Sequence, residues 1–134
     1  MDKTNVMVEF TMYGDKLIPD VVTRRLGITP TLQGIKGDVI EGRSFLRRSN
    51  IWQLSTGYEE SFDINDQLVK IYDLLKSKVD ILKELREQYN LEYFIYIVPQ
   101  IVNNETPAMS LERWFIDFVH EIRADIEIDL YIYS

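Results

Sequence analysis

The sequence predicts an α+β fold in which a mixed sheet of about five strands carries helices mainly on one face. Two periodicities support this: some segments alternate apolar with polar residues, and others repeat apolar residues every three or four positions. Their interleaved order predicts β-α-β-β-α(α)-β-α-β, where the bracket marks a second helix abutting the first. A chain of 134 residues is close to the usual domain size of about 100 to 150 residues. We therefore expect residues 1–134 to form a single domain.

The first part of the chain predicts a strand, a short helix and a hairpin. Residues 5–13 alternate as a strand packed on one side does, with Val6, Val8, Phe10 and Met12 on the apolar side. Pro19 suits the first turn of a helix and Gly27 suits its end, which predicts a helix over about 19–26. Weaker signals over 38–47 and 50–56 predict the two strands of the hairpin.

The middle of the chain predicts a long helical segment followed by a central strand. Asp63 can cap a helix whose apolar stripe continues to Tyr89, and the capping-box-like sequence at 77–80 predicts a kink or two abutting helices. Residues 92–98 are apolar or aromatic on both faces, which predicts a strand in the centre of the sheet with both faces covered. Pro99 to Pro107 is predicted to be a loop.

The last part of the chain predicts a third helix, capped by Ser110, and a final strand. Alternation divides that strand into two sides. We expect the apolar side to be buried; it consists of Ile126, Ile128, Leu130 and Ile132. The opposite side consists of Asp125, Glu127, Asp129, Tyr131 and Tyr133.

No catalytic, metal or cofactor site is evident in the sequence. Cysteine is absent and His120 is the only histidine, so the usual ligands of zinc are missing and a serine-histidine-acid triad would have to use a histidine predicted to lie on the surface. No nucleotide-binding or nucleophile motif occurs. We expect no cofactor and no requirement for a divalent metal.

The N-terminal residues lack the pattern of a signal peptide, and no apolar run approaches the roughly 20 residues that span a bilayer. We expect a cytoplasmic protein without a membrane partner, and the lack of cysteine suits a reducing compartment.

Charge is distributed unevenly along the chain. Residues 1–57 carry eight Lys or Arg and six Asp or Glu, and residues 58–134 carry seven and sixteen, so the two parts differ as +2 and −9. A strongly acidic part disfavours binding to the phosphate backbone of nucleic acid. A basic protein is the more favourable partner.

Two clusters are candidate binding sites. The first is the polar side of the last strand, which carries Asp125, Glu127 and Asp129. In a strand, successive members of this row would lie about 6.8 Å apart on one face. Tyr131 and Tyr133 extend the row. This row could bind a cation, perform acid/base chemistry or dock on a basic partner, or it could be only the solvated face of an end strand.

The second candidate is the basic and aromatic segment 43–52. Arg43, Arg47 and Arg48 could bind a small anion and Trp52 could stack on it, which would suit a small-anion-binding protein or a weak hydrolase. The alternative interpretation is a hairpin with solvated arginines and with Trp52 in the core.

Several short motifs resemble one known family. They are Leu26-Gly27-Ile28-Thr29-Pro30, Ser49 three residues before Trp52, and Ile126-Glu127-Ile128-Asp129-Leu130-Tyr131. Together they resemble the bacterial family called domain of unknown function 4279 over nearly the whole chain, although Glu127 stands where Asp is expected. The resemblance implies a small α+β fold and no established activity, so no catalytic residue is carried over.

The sequence thus leaves two classes of function. The first is a small cytosolic bacterial protein-binding domain without catalysis, such as an immunity-type or regulatory partner, which uses the acidic surface. The second is the small-anion-binding protein or weak hydrolase, which would use the basic hairpin 43–52 and the carboxylate row 125–129. The missing chemistry and the acidic second part favour the first class, and the sequence does not indicate the oligomeric state.

Overall fold

A computed structural model describes residues 2–133 and contains one mixed, open sheet with four α-helices. The strands are β1 (Asn5–Tyr13), β2 (Leu32–Gly34), β3 (Ile51–Ser55), β4 (Glu59–Glu60), β5 (Glu92–Val102), β6 (Ala124–Ile128) and β7 (Tyr131–Tyr133). The helices are α1 (Pro19–Leu26), α2 (Asn65–Leu75), α3 (Val79–Tyr89) and α4 (Arg113–Ile122).

The two longest strands form the centre of the sheet, whose order is β2-β3-β1-β5-β6. β1 pairs antiparallel with β5 along its whole length, from Asn5 opposite Gln100 to Tyr13 opposite Glu92. β6 and β7 both pair parallel with β5, while β4 pairs with the start of β1. The prediction of a mixed sheet with 92–98 at its centre is confirmed.

The helices pack on one face of the sheet, as predicted. The core that they form with the sheet takes only one alternate set of strand residues, including Val8 and Phe10 of β1 and Ile95 and Ile97 of β5, all fully buried. We call this face the covered face. The alternate residues on the other side of the strands do not belong to this core, and we call that side the open face. It is half-buried or exposed at Glu9, Phe94 and Tyr96, while Thr11, Val98 and Val102 on it are buried.

The helix predictions are largely confirmed. α1 begins at Pro19 and ends where Gly27 adopts a φ of 67°, a left-handed conformation that glycine adopts without strain. One turn of 3-10 helix at Lys76–Lys78 separates α2 from α3, at the place where the sequence predicts a break. The prediction that Ser110 caps the third helix is wrong, because α4 begins at Arg113 and its N-cap is Glu112.

The predicted strand over 38–47 is wrong. This segment is an exposed loop that contains an isolated β-bridge between Val39 and Leu46, and Val39 is 80% exposed. The sheet instead continues through β2, which pairs with β3. A strand without a buried side chain gains no packing energy, so the weak strand signals in 38–47 are not enough to form one.

β5 continues through Pro99 to Val102, so the predicted loop begins four residues too early. Ile97 accepts a hydrogen bond from the N–H of Asp129 at 2.9 Å. In a regular parallel ladder residue 99 would donate back to the carbonyl of Asp129, and a proline has no N–H to donate. The ladder is interrupted there, and the predicted single last strand is divided into β6 and β7.

The apolar side of the last strand is exposed, contrary to the prediction. Ile126 packs at the margin of the core, but Ile128, Leu130 and Ile132 are 51%, 44% and 68% exposed. The ten residues of α4 span about 15 Å, whereas residues 124–133 span about 33 Å. The helix therefore covers the start of the strand and leaves the rest bare.

Candidate functional site

The open face of the sheet is acidic and aromatic. Its strand positions include Glu9 on β1, Glu60 on β4, Glu92 on β5, and Asp125 and Glu127 on β6. None of the open-face positions on the seven described strands is lysine, arginine or histidine. The carboxylates on this face therefore have no cationic neighbour on the strands themselves.

The central row of the open face places a tyrosine between two carboxylates. Register aligns Ser55, Glu9, Tyr96 and Glu127 side by side on β3, β1, β5 and β6. Because neighbouring strands lie about 4.8 Å apart, Glu9 and Glu127 flank Tyr96 from the two sides. Burial raises the pKa of Tyr96 well above its usual range, and a hydrogen bond with Tyr13 and the nearby carboxylates add to this effect.

An aromatic row runs along the same face. The rings of Phe94 and Tyr96 are stacked with centroids 5.7 Å apart and an interplanar angle of 11°. Tyr13 meets Phe94 edge-on at 5.8 Å. All three side chains are half-buried. The face therefore offers rigid aromatic surface next to negative charge, as protein interfaces commonly do.

Glu9 is a half-buried carboxylate on the open face, and its surroundings shift its pKa. Burial raises the pKa of Glu9, and a hydrogen bond with Ser55 partly offsets the effect. Tyr58 also lies close, since burial raises its pKa and the charges of Glu9 and Asp129 raise it further. Tyr58 is therefore close to both Glu9 on β1 and Asp129 at the outer edge of the sheet.

All five residues predicted to form the acidic row lie on the exposed surface at this edge. The hydroxyl of Tyr131 donates a hydrogen bond to Asp129 at 2.9 Å, which raises the pKa of Tyr131. Tyr131 and Tyr133 pair with Gln100 and Val102 of β5, which point to the open face. The two tyrosines therefore lie on the same face as Glu127. The structure brings this predicted row together with the aromatic row.

The predicted anion-binding cluster is not brought together. Trp52 is fully buried on the covered face, where its indole N–H donates to the hydroxyl of Thr23 at 3.0 Å. It has no ring face to offer a ligand, which corrects the interpretation of Trp52 as a stacking group and confirms its place in the core. Arg43 and Arg48 lie exposed in the loop before β3, where Arg48 lies over the ring of Phe45 at 5.8 Å.

Arg47 is half-buried, and its side chain packs against the backbone of Gly34. A Cβ at position 34 would lie only 2.3 Å from the Nε of Arg47. Its backbone N–H donates to the carbonyl of Asp38 and its carbonyl accepts from Gly37, both at 2.8 Å. Arg47 therefore holds the loop together.

The described residues include no group of three or more His, Cys, Asp or Glu side chains able to hold a metal ion. His120 is exposed on α4, as the sequence predicts. One open cleft is lined by Tyr13, Asp15 and Lys16 beside the end of β1. Within residues 2–133, no helix combines the length and apolar character needed to cross a membrane.

Sequence reasoning missed the part of the open face contributed by β1 and β5. Glu9 and Tyr13 fall in the polar set of β1, which signals an uncovered side. Phe94 and Tyr96 hid that signal, because aromatic residues on both sides of 92–98 predict a strand covered on both faces. The prediction of double coverage is wrong for Phe94 and Tyr96, which lie half-buried on the open face, whereas Val98 on the same face is buried.

Fold and site together define a single α+β domain whose helices cover one face of a mixed sheet and whose other face is acidic and aromatic. The chain belongs to the family described as Domain of unknown function (DUF4279), whose model matches residues 3–133. The family resemblance of the short motifs is thereby confirmed. No curated protein and no solved structure matches the chain.

Proposed function

We propose that this chain is a small protein-binding domain without catalysis, and that its open face binds a basic protein. An immunity-type or regulatory partner of a bacterial cytoplasmic protein would act in this way. The observation that carries the proposal is the row in which Glu9 and Glu127 flank Tyr96 on a face whose strands carry no cation.

This row suits a cationic side chain of a partner. A lysine or arginine over the ring of Tyr96 would gain a cation–π contact and would lie between two carboxylates. Tyr58, Tyr131 and Tyr133 are 47%, 43% and 44% exposed around the row. Exposed tyrosines add contact area at little cost in side-chain entropy, which favours an interface over a solvated face.

The proposal is tested by neutralising the edge of the face. The immobilised chain is used in a pull-down from a lysate of the cells that encode it, and the protein that it captures is purified. We expect the triple variant Asp125→Asn, Glu127→Gln and Asp129→Asn to fold like the parent, because all three side chains are exposed. It should associate with the captured protein about tenfold more slowly at low salt, and with a weaker salt dependence.

The matched control neutralises the exposed acids Glu87, Asp117 and Glu121 on the helices. Its net charge changes by the same amount as that of the triple variant, but the open face is untouched. If the control slows association equally, only net charge matters, and the proposed site is wrong. Unchanged rate and salt response in the triple variant would also reject it.

A further inference from the structure

The outer edge of the sheet has unpaired backbone groups along residues 124–133. β6 and β7 pair with β5 on one side, and no described strand pairs with them on the other. The N–H of Asp129 donates to Ile97 of β5, so odd-numbered residues turn their backbone groups inward. The N–H and C=O groups of Ile126, Ile128, Leu130 and Ile132 therefore point outward.

The side chains along this edge form two different stripes. On the covered-face side Ile128, Leu130 and Ile132 are bare, with exposures between 44% and 68%. On the open-face side the alternate positions carry Glu127 and Asp129. An exposed edge strand beside bare apolar side chains is a template for a further strand.

We propose that the basic partner adds a strand to this edge, with lysine or arginine alternating with apolar residues. This inference rests on the proposed function and specifies how the partner is held. Basic residues of the added strand would face Glu127 and Asp129, and the apolar residues between them would pack on Ile128, Leu130 and Ile132. The outward backbone groups would complete a ladder with the added strand.

Charge disfavours a second copy of the chain as the occupant, because each copy brings a net charge of −7 and the registers that align the acidic positions place like charges opposite one another. When two such edges pair antiparallel with residue 128 at the centre, Glu127 of each copy lies opposite Asp129 of the other. When residue 129 is at the centre, the two copies of Asp129 lie opposite each other. Like charges directly opposite one another are destabilising. The same carboxylates favour a basic strand, so the edge selects a partner by charge.

The probe is a synthetic peptide of alternating lysine and valine, as long as the strand 124–133. Its control is a peptide of the same composition with all lysines in one block and all valines in another. Amide hydrogen exchange of the parent chain should slow at Ile126, Ile128, Leu130 and Ile132 when the alternating peptide is bound. The block peptide should bind more weakly and protect these amides less.

Variants separate the edge from the open face. Leu130→Pro removes an outward N–H and leaves the inward ladder intact, so it should weaken binding of the alternating peptide about tenfold. Leu130→Ala removes the same side-chain contact but keeps the N–H, and should weaken binding less. Leu32→Pro makes the same substitution at a partly exposed leucine, 37% exposed, in the opposite edge strand β2, and should leave binding unchanged.

The outcomes distinguish strand addition from the proposed function. Failure of the alternating peptide to bind, or binding without protection of the outward amides, overturns strand addition. If the triple acidic variant loses the captured partner while Leu130→Pro retains it, the basic-partner function stands and strand addition fails. Should Leu130→Pro unfold, exchange in the parent still decides, because it needs no variant.

Discussion

The two faces of β1 and β5 differ although they are built from alternate residues of the same strands. Phe10 and Ile95 are fully buried on the covered face. Their sequence neighbours Glu9 and Tyr96 are half-buried on the open face. The covered face contains the packing that stabilises the fold, and the open face carries the charge and aromatic surface suited to recognition. Substitutions one residue apart should therefore have different consequences.

The largest effect is expected on the covered face, at Trp52. Its ring is fully buried and meets Phe10 edge-on at 6.5 Å. Trp52→Ala should lower the free energy of unfolding by about 3 to 5 kcal/mol, because it leaves a cavity in the core. Chemical denaturation measures this, with Phe94→Ala on the open face as the comparison. An unchanged midpoint for Trp52→Ala would remove the distinction between the faces.

A smaller effect is expected from removing one hydroxyl on each face of β5. The hydroxyl of Tyr93 is buried and donates to the carbonyl of Leu82 at 2.7 Å. Tyr93→Phe should cost about 1 kcal/mol of stability, because it removes this buried hydrogen bond. Tyr96→Phe should cost less, because Tyr96 is only half-buried and its hydroxyl, which shares a hydrogen bond with Tyr13, exchanges this partner for water more easily. Equal losses in urea denaturation would show that the open face is also stabilising.

A pH-dependent effect is expected at Glu9. Burial raises the pKa of Glu9 above its ordinary value of 4.5, so the folded state holds this proton more tightly than the unfolded state does. Below 4.5 both states are protonated and the carboxyl does not oppose folding. As the pH rises through the folded pKa, the ionised carboxylate destabilises the fold, and the loss persists at neutral pH.

Glu9→Gln should therefore be more stable than the parent at neutral pH and equal to it well below pH 4.5. Thermal melts of both proteins across this range measure the difference. A constant gap at every pH would mean that the substitution acts through packing and not through ionisation.

The smallest effect is expected from a chelator. The open-face carboxylates are spread along the strands, and no described cluster has the ligands of a metal site. Melting temperatures with and without a strong chelator should coincide. A large decrease with chelator would identify a metal-dependent fold and would require a different role for the acidic face.

Much of the architecture follows from local sequence signals. Pro19 and Gly27 delimit α1, and the apolar stripe with a break near residue 77 predicts α2 and α3. These signals work because the geometry of a helix is decided by residues three and four positions apart. The acidic row was also predicted, since strict alternation fixes which residues share a side of a strand.

The errors come from contacts between distant segments. Pro99 suggests the end of a strand, yet β1 pairs with β5 through this position and β7 pairs with β5 beyond it. The bare side of Ile128 and Ile132 depends on the length of α4, which alternation does not reveal. The grouping of Glu9 with Glu127 depends on strand order, since β1 and β6 are both neighbours of β5 but far apart in the chain.

The pairing of β1 with β5 also affects how fast the chain can fold. This ladder is the longest in the sheet and joins residues as distant in sequence as Asn5 and Gln100. Closing so long a loop costs entropy before any of its contacts form. Domains dominated by such distant pairings fold more slowly than helical bundles, in roughly milliseconds to seconds.

β5, the partner of β1 in this ladder, is synthesised much later than β1. During that interval β3 can already pair with one edge of β1, but the other edge, beside apolar side chains such as Val6 and Met12, has no partner. An unpaired apolar strand is prone to associate with other chains. We therefore expect association of incomplete chains to increase when the appearance of β5 is delayed.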